Sequence, residues 1–348
     1  MQPDLVAGKV DSSSSAQAAA LRQMAAGGWV AQALYVAAKL GVADLLAEGA
    51  RRPDEIAAAA GANPDALHRV LRLLASLGVF VEDEFGRFGL TPLAGPLRSD
   101  APASLGAFVV MLNEGPHWRA WGQLLHTVRT GESAFVHVYG SPIFSYYTRH
   151  PVEAQVFDAA ITSRARQENE SAVAAYSWPD HGTIVDVGGG EGSLLAAILA
   201  TTPSARGVLF ELPHVASAAA RFLAQAGLSY RCETISGDFT ETIPSGGALY
   251  LLRRVLHGCT DERAILVLRN CRAAMAGGAR LLVIEQLLEP GNEPSWGKML
   301  DVQMLVLSAG GRERQLANYE TILASAGLRV LSVIATAAGP SIIEAAAP

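Results

Sequence analysis

The sequence has few cysteines, no excess of basic residues and no long hydrophobic run, and each deficit excludes a class of protein. Its three cysteines, Cys232, Cys259 and Cys271, are too few and too irregularly spaced for a disulfide framework or a zinc site, so we predict no metal. The net charge of −6 argues against nucleic acid or an anionic membrane as a partner held by charge alone. No uncharged apolar run reaches the roughly 18 residues that a membrane span needs.

The first residues of the chain also lack a targeting pattern. Residues 1–15 contain no basic region followed by an apolar region, which is the pattern of a secretory signal. We therefore predict a cytoplasmic protein without a membrane partner, and a disordered tail over residues 1–15.

What the chain does have is apolar residues in two different patterns. Hydrophobic residues make up 50% of its 348 residues, and single cores stop growing at about 250–300 residues, so we expect two domains. From Ala16 to Tyr176, alanine and leucine recur at the three-to-four spacing of helices. From Thr183 onward, apolar β-rich runs alternate with helical segments, which is typical of a parallel sheet with helices on both faces. We place the boundary near Tyr176–His181.

Residues 51–94 read as a helix-turn-helix followed by a small hairpin, which is the pattern of a winged helix. Such a module either binds DNA through its second helix or serves as a structural or dimerisation unit. The second helix offers His68, Arg69 and Arg72 to a groove, but its acidic flanks would repel phosphate, so we favour the second role. The preceding helix is apolar nearly all round and must be buried, and burial between two subunits is a natural solution.

The segment TIVDVGGGEGSLL, residues 183–195, carries the strongest chemical pattern. Four glycines between a strand and a helix let a ligand approach the backbone closely. A dinucleotide fingerprint needs a glycine at position 193, where this chain has Ser193, and a Walker lysine is missing. Asp186 and Glu191 would repel a phosphate at this loop. These features predict a cationic ligand without phosphate and argue against a nicotinamide-dependent oxidoreductase.

Acidic residues after the next two strands indicate the rest of that ligand. Glu211 ends the second strand, where a carboxylate holds ribose hydroxyls in doubly wound nucleotide sites. After the third strand, Asp238 is placed to accept a hydrogen bond from an adenine amino group, and Phe239 to lie against its ring. A ribose, an adenine-like base and a positive charge together describe S-adenosylmethionine.

With these residues in view, the chain resembles the S-adenosylmethionine-dependent O-methyltransferases of the plant caffeic-acid type and their bacterial relatives in antibiotic and polyketide tailoring. The motifs VDVGGGEG, FELPHV, GDF, LRRVLHG, VIEQLL and GGRERQ follow the family's order over nearly the whole chain. The resemblance implies an α/β fold with a doubly wound, mostly parallel seven-stranded sheet, preceded by an all-helical winged-helix dimerisation domain. It also implies a homodimer, S-adenosylhomocysteine as product, and a cofactor site formed by Asp186, Gly188, Gly190, Glu211, Asp238, Phe239 and Arg253.

We accordingly predict four segments along the chain. They are the tail over residues 1–15, the dimerisation domain over 16–100, a helical connector contributing to the substrate pocket over 101–178, and a Rossmann-like cofactor domain over 179–348. The runs LRVLSVIATA and SIIEAAA would form the last two strands.

His257 follows the fourth strand, at the carboxyl edge of the sheet where ligands bind in such folds. A phenol has a pKa near ~10, whereas a histidine of pKa about 6.5 can take its proton as the methyl group moves. A base histidine needs an orienting carboxylate, and Glu285 ends the adjacent fifth strand. Glu313 matches the second flanking glutamate of the family. We predict His257 as the base with both glutamates orienting it; the alternative is a packed or solvated loop histidine.

The resemblance also implies a substrate pocket between the domains, lined by apolar residues. Candidates are Met111, Trp118, Trp121, Phe135, Phe144, Phe157, Met299, Met304 and Leu305. The run GKMLDVQMLVLSAGGRERQ aligns with the family's substrate helix, so Met299, Asp301 and Met304 are preferred, with Met111 and Trp118 beside them. We expect a flat aromatic or polyketide-derived hydroxyl compound, and a nitrogen acceptor stays open.

One stretch departs from the family. Members usually read His-Asp-Trp where this chain reads His257-Gly258-Cys259. The family's tryptophan flanks the adenine, and a cysteine gives up most of that contact area. Some relatives keep S-adenosylmethionine for decarboxylation, hydroxylation or pericyclic reactions, so that chemistry remains the alternative to methyl transfer.

Overall fold

A computed structural model describes residues 12–348 except Ala103, and omits the side chains of residues 12–14 and 214. The chain divides between Glu114 and Gly115 into two compact units. The part of the predicted tail up to Asp11 lies outside the described residues, and the first helix already begins at Ser12. Residues 115–178 of the predicted connector cluster with the sheet.

The first unit is a helical domain with a small hairpin. Its helices are α1 (Ser12–Ala25), α2 (Gly27–Lys39), α3 (Val42–Leu45), α4 (Pro53–Ala60), α5 (Pro64–Ser76) and α6 (Gly106–Asn113), with a 3-10 helix over Pro92–Leu97. Asn63 caps α5 by accepting a 3.0 Å hydrogen bond from the Ala66 amide, as an asparagine before proline does at a helix start. The antiparallel strands β1 (Phe80–Glu82) and β2 (Phe88–Leu90) form the predicted hairpin, the wing, so this domain is mostly rather than entirely helical.

The second unit contains the remaining elements. Its helices are α7 (Gly115–Trp121), α8 (Leu124–Thr130), α9 (Ala134–Tyr139), α10 (Ile143–Arg149), α11 (Pro151–Ala175), α12 (Ser193–Thr201), α13 (Pro213–Gln225), α14 (Asp261–Ala274), α15 (Trp296–Leu307) and α16 (Leu316–Ser325). Its strands are β3 (His181–Val187), β4 (Ser204–Glu211), β5 (Cys232–Ser236), β6 (Leu249–Arg253), β7 (Arg280–Glu285), β8 (Arg329–Ala335) and β9 (Ser341–Ala346). A 3-10 helix spans Leu256–Gly258.

The seven strands form one sheet in the order β5-β4-β3-β6-β7-β9-β8. Strands β3 to β7 are parallel, and β9 is antiparallel to both neighbours. The predicted doubly wound, mostly parallel sheet is therefore confirmed, and so are its last two strands. Because strand side chains alternate, Leu249 and Leu251 enter one apolar core while Tyr250 and Leu252 enter the other, one on each sheet face.

The strand order reverses at β3, whose neighbours are β4 and β6. Open α/β sheets bind ligands outside the carboxyl ends of strands at such a reversal. The ends of β3, β4, β6 and β7 bring the predicted cofactor and base residues to this edge. Among the described residues, no helix combines the length and the apolar character that crossing a membrane would require.

Candidate active site

The glycine loop, Gly188–Gly192, connects β3 to α12 at the strand-order reversal. Gly188 and Gly190 have φ of +70° and +61°, which side-chain-bearing residues rarely adopt. A Cβ at Gly189 would collide with the Asp186 carboxylate and lie 2.6 Å from Leu209 Cδ1. These glycines therefore let the backbone turn tightly over Asp186.

Asp186 lies beneath this loop, 1% exposed. Within the described part of the chain, neither of its carboxylate oxygens has a hydrogen-bond partner. Burial raises the pKa of Asp186 to about 7, against the opposing charge of Arg253. A buried carboxylate without partners is costly, and a cationic ligand would supply what it lacks.

Three more predicted cofactor residues lie around the loop. Glu211 accepts hydrogen bonds from the amides of Gly190 at 3.2 Å and Leu212 at 2.7 Å. The ring of Phe239 would be 3.4 Å from a Cβ at Gly188, so it lies against the loop. Asp238 accepts from Thr240 at both its amide and its hydroxyl, 2.8 and 2.7 Å, and these bonds lower its pKa. Its predicted contact with adenine stays a prediction.

Asn169 is a polar residue of this region that the sequence did not reveal. It lies on α11, 3% exposed, and donates a 3.1 Å hydrogen bond to the hydroxyl of Ser193 at the start of α12. Its Oδ1 has no partner among the described residues. Nothing in the helical pattern of residues 151–175 distinguishes this asparagine from solvated ones.

The three predicted catalytic residues, His257, Glu285 and Glu313, form a cluster that we call the base site. His257 lies in the 3-10 helix after β6, and its Nδ1 is 3.0 Å from Glu313 Oε1. Glu285 Oε1 instead accepts from the backbone amides of Leu256 at 2.9 Å and His257 at 3.2 Å. The three predicted catalytic residues thus come together, but in different ways: Glu313 contacts the ring, whereas Glu285 holds the main chain.

Charges at the base site shift its proton affinities. Burial alone would lower the pKa of His257, but the negative charge of Glu285 and the hydrogen bond and charge of Glu313 outweigh it and raise the pKa. Burial raises the pKa of Glu285. The His257 side chain keeps 19% of its surface exposed, so it is held firmly and is still accessible.

The loop that carries His257 is fastened by Arg314, which is 1% exposed. Its guanidinium donates to the carbonyls of Leu256 at 2.7 Å and Cys259 at 2.8 Å, and to Asp261 at 2.7 Å. The amide of Arg312 also donates to the His257 carbonyl at 2.8 Å. A backbone held at several points keeps the histidine ring in one orientation.

The predicted substrate residues are more dispersed. On α15, Met299 is 62% exposed and Met304 is half-buried, while Trp118 on α7 is 40% exposed. Asp301 accepts a 2.9 Å hydrogen bond from the Glu313 amide, so its carboxylate contacts the main chain of the base site. Met111 is buried in the first unit. Substrate contact by these residues remains a prediction.

The base site offers three ligand atoms that lie within 4.8 Å of one another, an arrangement that a metal ion can use. However, Arg254 Nη1 lies 3.7 Å from Glu313 Oε1. This fixed positive charge disfavours a divalent cation and favours an ion-paired carboxylate.

Cys259, at the position of the family's adenine-flanking tryptophan, points into the sheet core. Its side chain is 5% exposed, and its Sγ donates to the Val255 carbonyl at 3.6 Å. The departure from the family pattern therefore concerns a packed residue of the loop.

Two family models match the chain. The model of the O-methyltransferase domain matches residues 121–329, and that of the O-methyltransferase dimerisation domain matches residues 23–98.

Similar proteins span nearly the whole chain. The phenazine O-methyltransferase PhzM of Lysobacter antibioticus is 46% identical over 325 residues, 93% of this chain and 95% of that protein. A mitomycin biosynthesis 6-O-methyltransferase of Streptomyces lavendulae is 40% identical over 318 residues, 90% of each chain. The SAH-bound structure of CalO1, a methyltransferase in calicheamicin biosynthesis, has a TM-score of 0.86 at 33% identity, covering 98% of this chain and 100% of that one.

Proposed function

Because this chain belongs to the O-methyltransferase family whose members carry a dimerisation domain, we propose that it methylates a hydroxyl group of an aromatic small molecule with S-adenosylmethionine. One observation carries the proposal. A histidine with a carboxylate 3.0 Å from its Nδ1 stands at the same sheet edge as a glycine loop over an unpartnered buried carboxylate. The first arrangement suits proton removal, and the second suits a cationic ligand.

The residues around the glycine loop fit S-adenosylmethionine. Asp186 and the Oδ1 of Asn169 are buried acceptors without partners in the described structure, which suits a ligand with an ammonium group and a sulfonium charge. Glu211 stands where a carboxylate receives ribose hydroxyls, and Phe239 offers a ring for a base to stack on. When bound, the cofactor supplies an activated methyl group with a good leaving group.

His257 supplies the chemistry that the acceptor needs. We assign the Nδ1 proton to the hydrogen bond with Glu313, which leaves the lone pair on Nε2. Nε2 takes the hydroxyl proton while the acceptor oxygen is methylated. The imidazolium that results is stabilised by the Glu313 charge beside it, with Glu285 holding the loop in place. General base catalysis of this kind contributes about 10²–10⁴ in rate.

The acceptor is proposed to be a flat aromatic compound with a phenolic hydroxyl. The support is the set of apolar side chains on α7 and α15, including Trp118, Met299 and Met304, and the phenazine and mitomycin chemistry named for two relatives. Apolar and aromatic side chains with few polar groups are what pockets for such ligands contain.

Cofactor binding is the first thing to test. Calorimetric titration of the purified chain with S-adenosylmethionine and S-adenosylhomocysteine should show binding in the micromolar range. Each tenfold change in Kd corresponds to about 1.4 kcal/mol of binding free energy. Glu211→Ala should weaken binding, whereas Glu320→Ala, which removes an exposed carboxylate of α16, should not. Absence of binding to wild type would overturn the proposal.

Methyl transfer is then assayed with a panel of hydroxylated phenazines and naphthoates, using mass spectrometry to detect an added methyl group. Acceptor-dependent formation of S-adenosylhomocysteine supports transfer. Product of a different composition, formed while S-adenosylmethionine stays intact, would favour decarboxylation, hydroxylation or pericyclic chemistry instead.

We propose further that the chain forms a homodimer through α1 and α2. Leu21, Met24 and Trp29 of these helices are 68%, 77% and 76% exposed, which is unusual for large apolar side chains close together. Sedimentation should show a dimer, and Trp29→Ser together with Met24→Ser should shift it toward monomer. A wild-type monomer at all concentrations would contradict this assembly.

A further inference from the structure

A buried carboxylate on α11 connects the two halves of the candidate site. Glu168 is 6% exposed and lies among three arginines of the second unit. Its Oε1 is 2.8 Å from Arg164 Nε and 2.9 Å from Arg254 Nη2, and its Oε2 is 2.7 Å from Arg253 Nη2. Burial alone would raise the pKa of Glu168, but its three partners outweigh it and lower the pKa to about 2. Glu168 is therefore a fixed negative charge.

Two of the arginines that pair with Glu168 also act on other residues of the site, each on a different part of it. Arg253, at the end of β6, exerts its charge on Asp186 below the glycine loop. Arg254 has φ of +56°, in the described chain the one non-glycine residue with positive φ, and its Nη1 lies 3.7 Å from Glu313 Oε1. A side-chain-bearing residue is kept in that conformation only when its surroundings over-determine it.

We propose that Glu168 is a positioning residue for methyl transfer, holding Arg254 at a set distance from Glu313 and Arg253 at a set distance from Asp186. This inference rests on the proposed function of the base site. If Glu168 did not share the charge of Arg254, that arginine would pair more closely with Glu313 and compete with His257 for its carboxylate. Glu168 thus keeps Glu313 available to the histidine.

The charged groups that face His257 decide the direction of the test. They are Glu285 from the end of β7, Glu313 from the segment after α15 and Arg254 from the segment after β6; the two glutamates raise the pKa of His257 and Arg254 lowers it. Removing Arg254 should therefore raise the histidine's pKa. Removing Glu168, which leaves Arg254 to act on Glu313 at full strength, should lower it.

The experiment is a double-mutant cycle in which the pH profile of kcat/KM is measured for each variant. In Glu168→Gln, the acid limb of kcat/KM should move to lower pH, and the KM for S-adenosylmethionine should rise because Arg253 is displaced. In Arg254→Gln the limb should move to higher pH. The double variant should behave like Arg254→Gln alone, because Glu168 acts on the base through that arginine. Glu168→Asp should recover part of the wild-type profile.

Glu170→Gln is the matched control, since Glu170 lies on the same helix and pairs only at 3.8 Å with Arg166, both side chains being at least 70% exposed. It should leave the limb unchanged. Histidine side-chain NMR titration of the same variants reads the pKa of His257 without turnover, so loss of the proposed function would not hide the result. An unmoved limb in Glu168→Gln, or shifts that add fully in the double variant, would overturn the proposal. If Glu168→Gln does not fold, an unmoved limb in Arg254→Gln would overturn it equally.

Discussion

The glycine loop and the base site stand at the same sheet edge but differ in how far their polar groups are already paired. Around the loop, both oxygens of Asp186 and the Oδ1 of Asn169 have no partner among the described residues. At the base site, His257 Nδ1 and Glu285 Oε1 are hydrogen-bonded within the protein and Arg314 holds the main chain, while the Oε2 atoms of both glutamates have no partner in the described structure. A carboxylate with neither oxygen paired can gain most from a ligand, whereas groups with paired atoms are already arranged in advance.

Because of this difference, we expect substitutions in the two halves of the site to change different measured quantities. Substitutions at the glycine loop should alter cofactor affinity and the stability of the empty protein. Substitutions at the base site should alter turnover and its pH dependence while leaving cofactor affinity in place.

The largest effect is expected at His257. His257→Ala removes the proposed base, so kcat/KM should fall by about 10²–10⁴. The Kd for S-adenosylhomocysteine should stay near the wild-type value, measured by calorimetry on the same preparation. His181→Ala, which removes an exposed histidine at the other end of β3, is the control and should change neither quantity. Retention of most activity in His257→Ala would show that the acceptor loses its proton elsewhere.

The next largest effect is expected at Asp186. Asp186→Asn keeps the shape but loses the charge, and a hydrogen bond to a charged group contributes roughly 1.5–3 kcal/mol, so cofactor Kd should rise about 10–100-fold. Asp180→Asn, before β3 and exposed, is the control. Unchanged affinity would remove Asp186 from the cofactor site.

Asp186→Asn, which should weaken cofactor binding, should stabilise the protein when no cofactor is bound. Because the folded-state pKa of Asp186 is about 7, raised from 3.8, the folded chain holds this proton more tightly than the unfolded chain. Stability is then lost as pH rises from about 4 to about 7, and a neutral asparagine side chain at this position causes no such loss. Without cofactor, Asp186→Asn should therefore melt higher than wild type at pH 8 and near it at pH 4. Equal melting curves at pH 8 would contradict the unpartnered burial.

The same contrast explains what the sequence could predict. The glycine loop follows β3 directly, Glu211 and Glu285 end their strands, and His257 lies four residues after β6, so a correct strand assignment was sufficient to place them at one edge. Asn169 and Glu168 lie in the middle of the long helix α11, where contact with the sheet edge depends on how the helix packs. The wing, β1 and β2, was predicted as a small hairpin after the two helices, although strands of three residues carry little periodicity of their own.

For Glu313 and Asp301, the family resemblance and the spacing of residues in the sequence differ in what they could predict. Nothing in the spacing of GGRERQ places Glu313 beside a histidine 56 positions earlier; the family resemblance did, and the 3.0 Å contact agrees with it. Asp301 aligned with the substrate helix, yet its Oδ1 holds the Glu313 amide. Which way a side chain points from a helix depends on tertiary packing, which a motif does not contain.

A moderate effect is expected from Glu313→Gln. Glu313 raises the pKa of His257 by its charge and hydrogen bond, so its neutral isostere should move the acid limb of kcat/KM to lower pH. The maximal rate should fall by about tenfold or more, because a hydrogen bond to a charged group contributes roughly 1.5–3 kcal/mol and the imidazolium loses that charged partner. Cofactor affinity should stay unchanged, which separates this variant from Asp186→Asn. A limb that moves to higher pH would show that Arg254, rather than Glu313, controls the histidine.

The smallest effect is expected at Cys259, which follows His257 by two residues but packs into the hydrophobic core. Its side chain is 5% exposed within the core, so Cys259→Ala should change the cofactor Kd by less than about threefold, measured by calorimetry. Cys259→Trp, which restores the family's residue, should lower the melting temperature because a large ring overfills a packed core. Tenfold weaker binding in Cys259→Ala would place the sulfur against the cofactor after all. A small effect would mean that residue 259 contributes little to holding the cofactor in this chain, where the family's tryptophan is replaced by a packed cysteine.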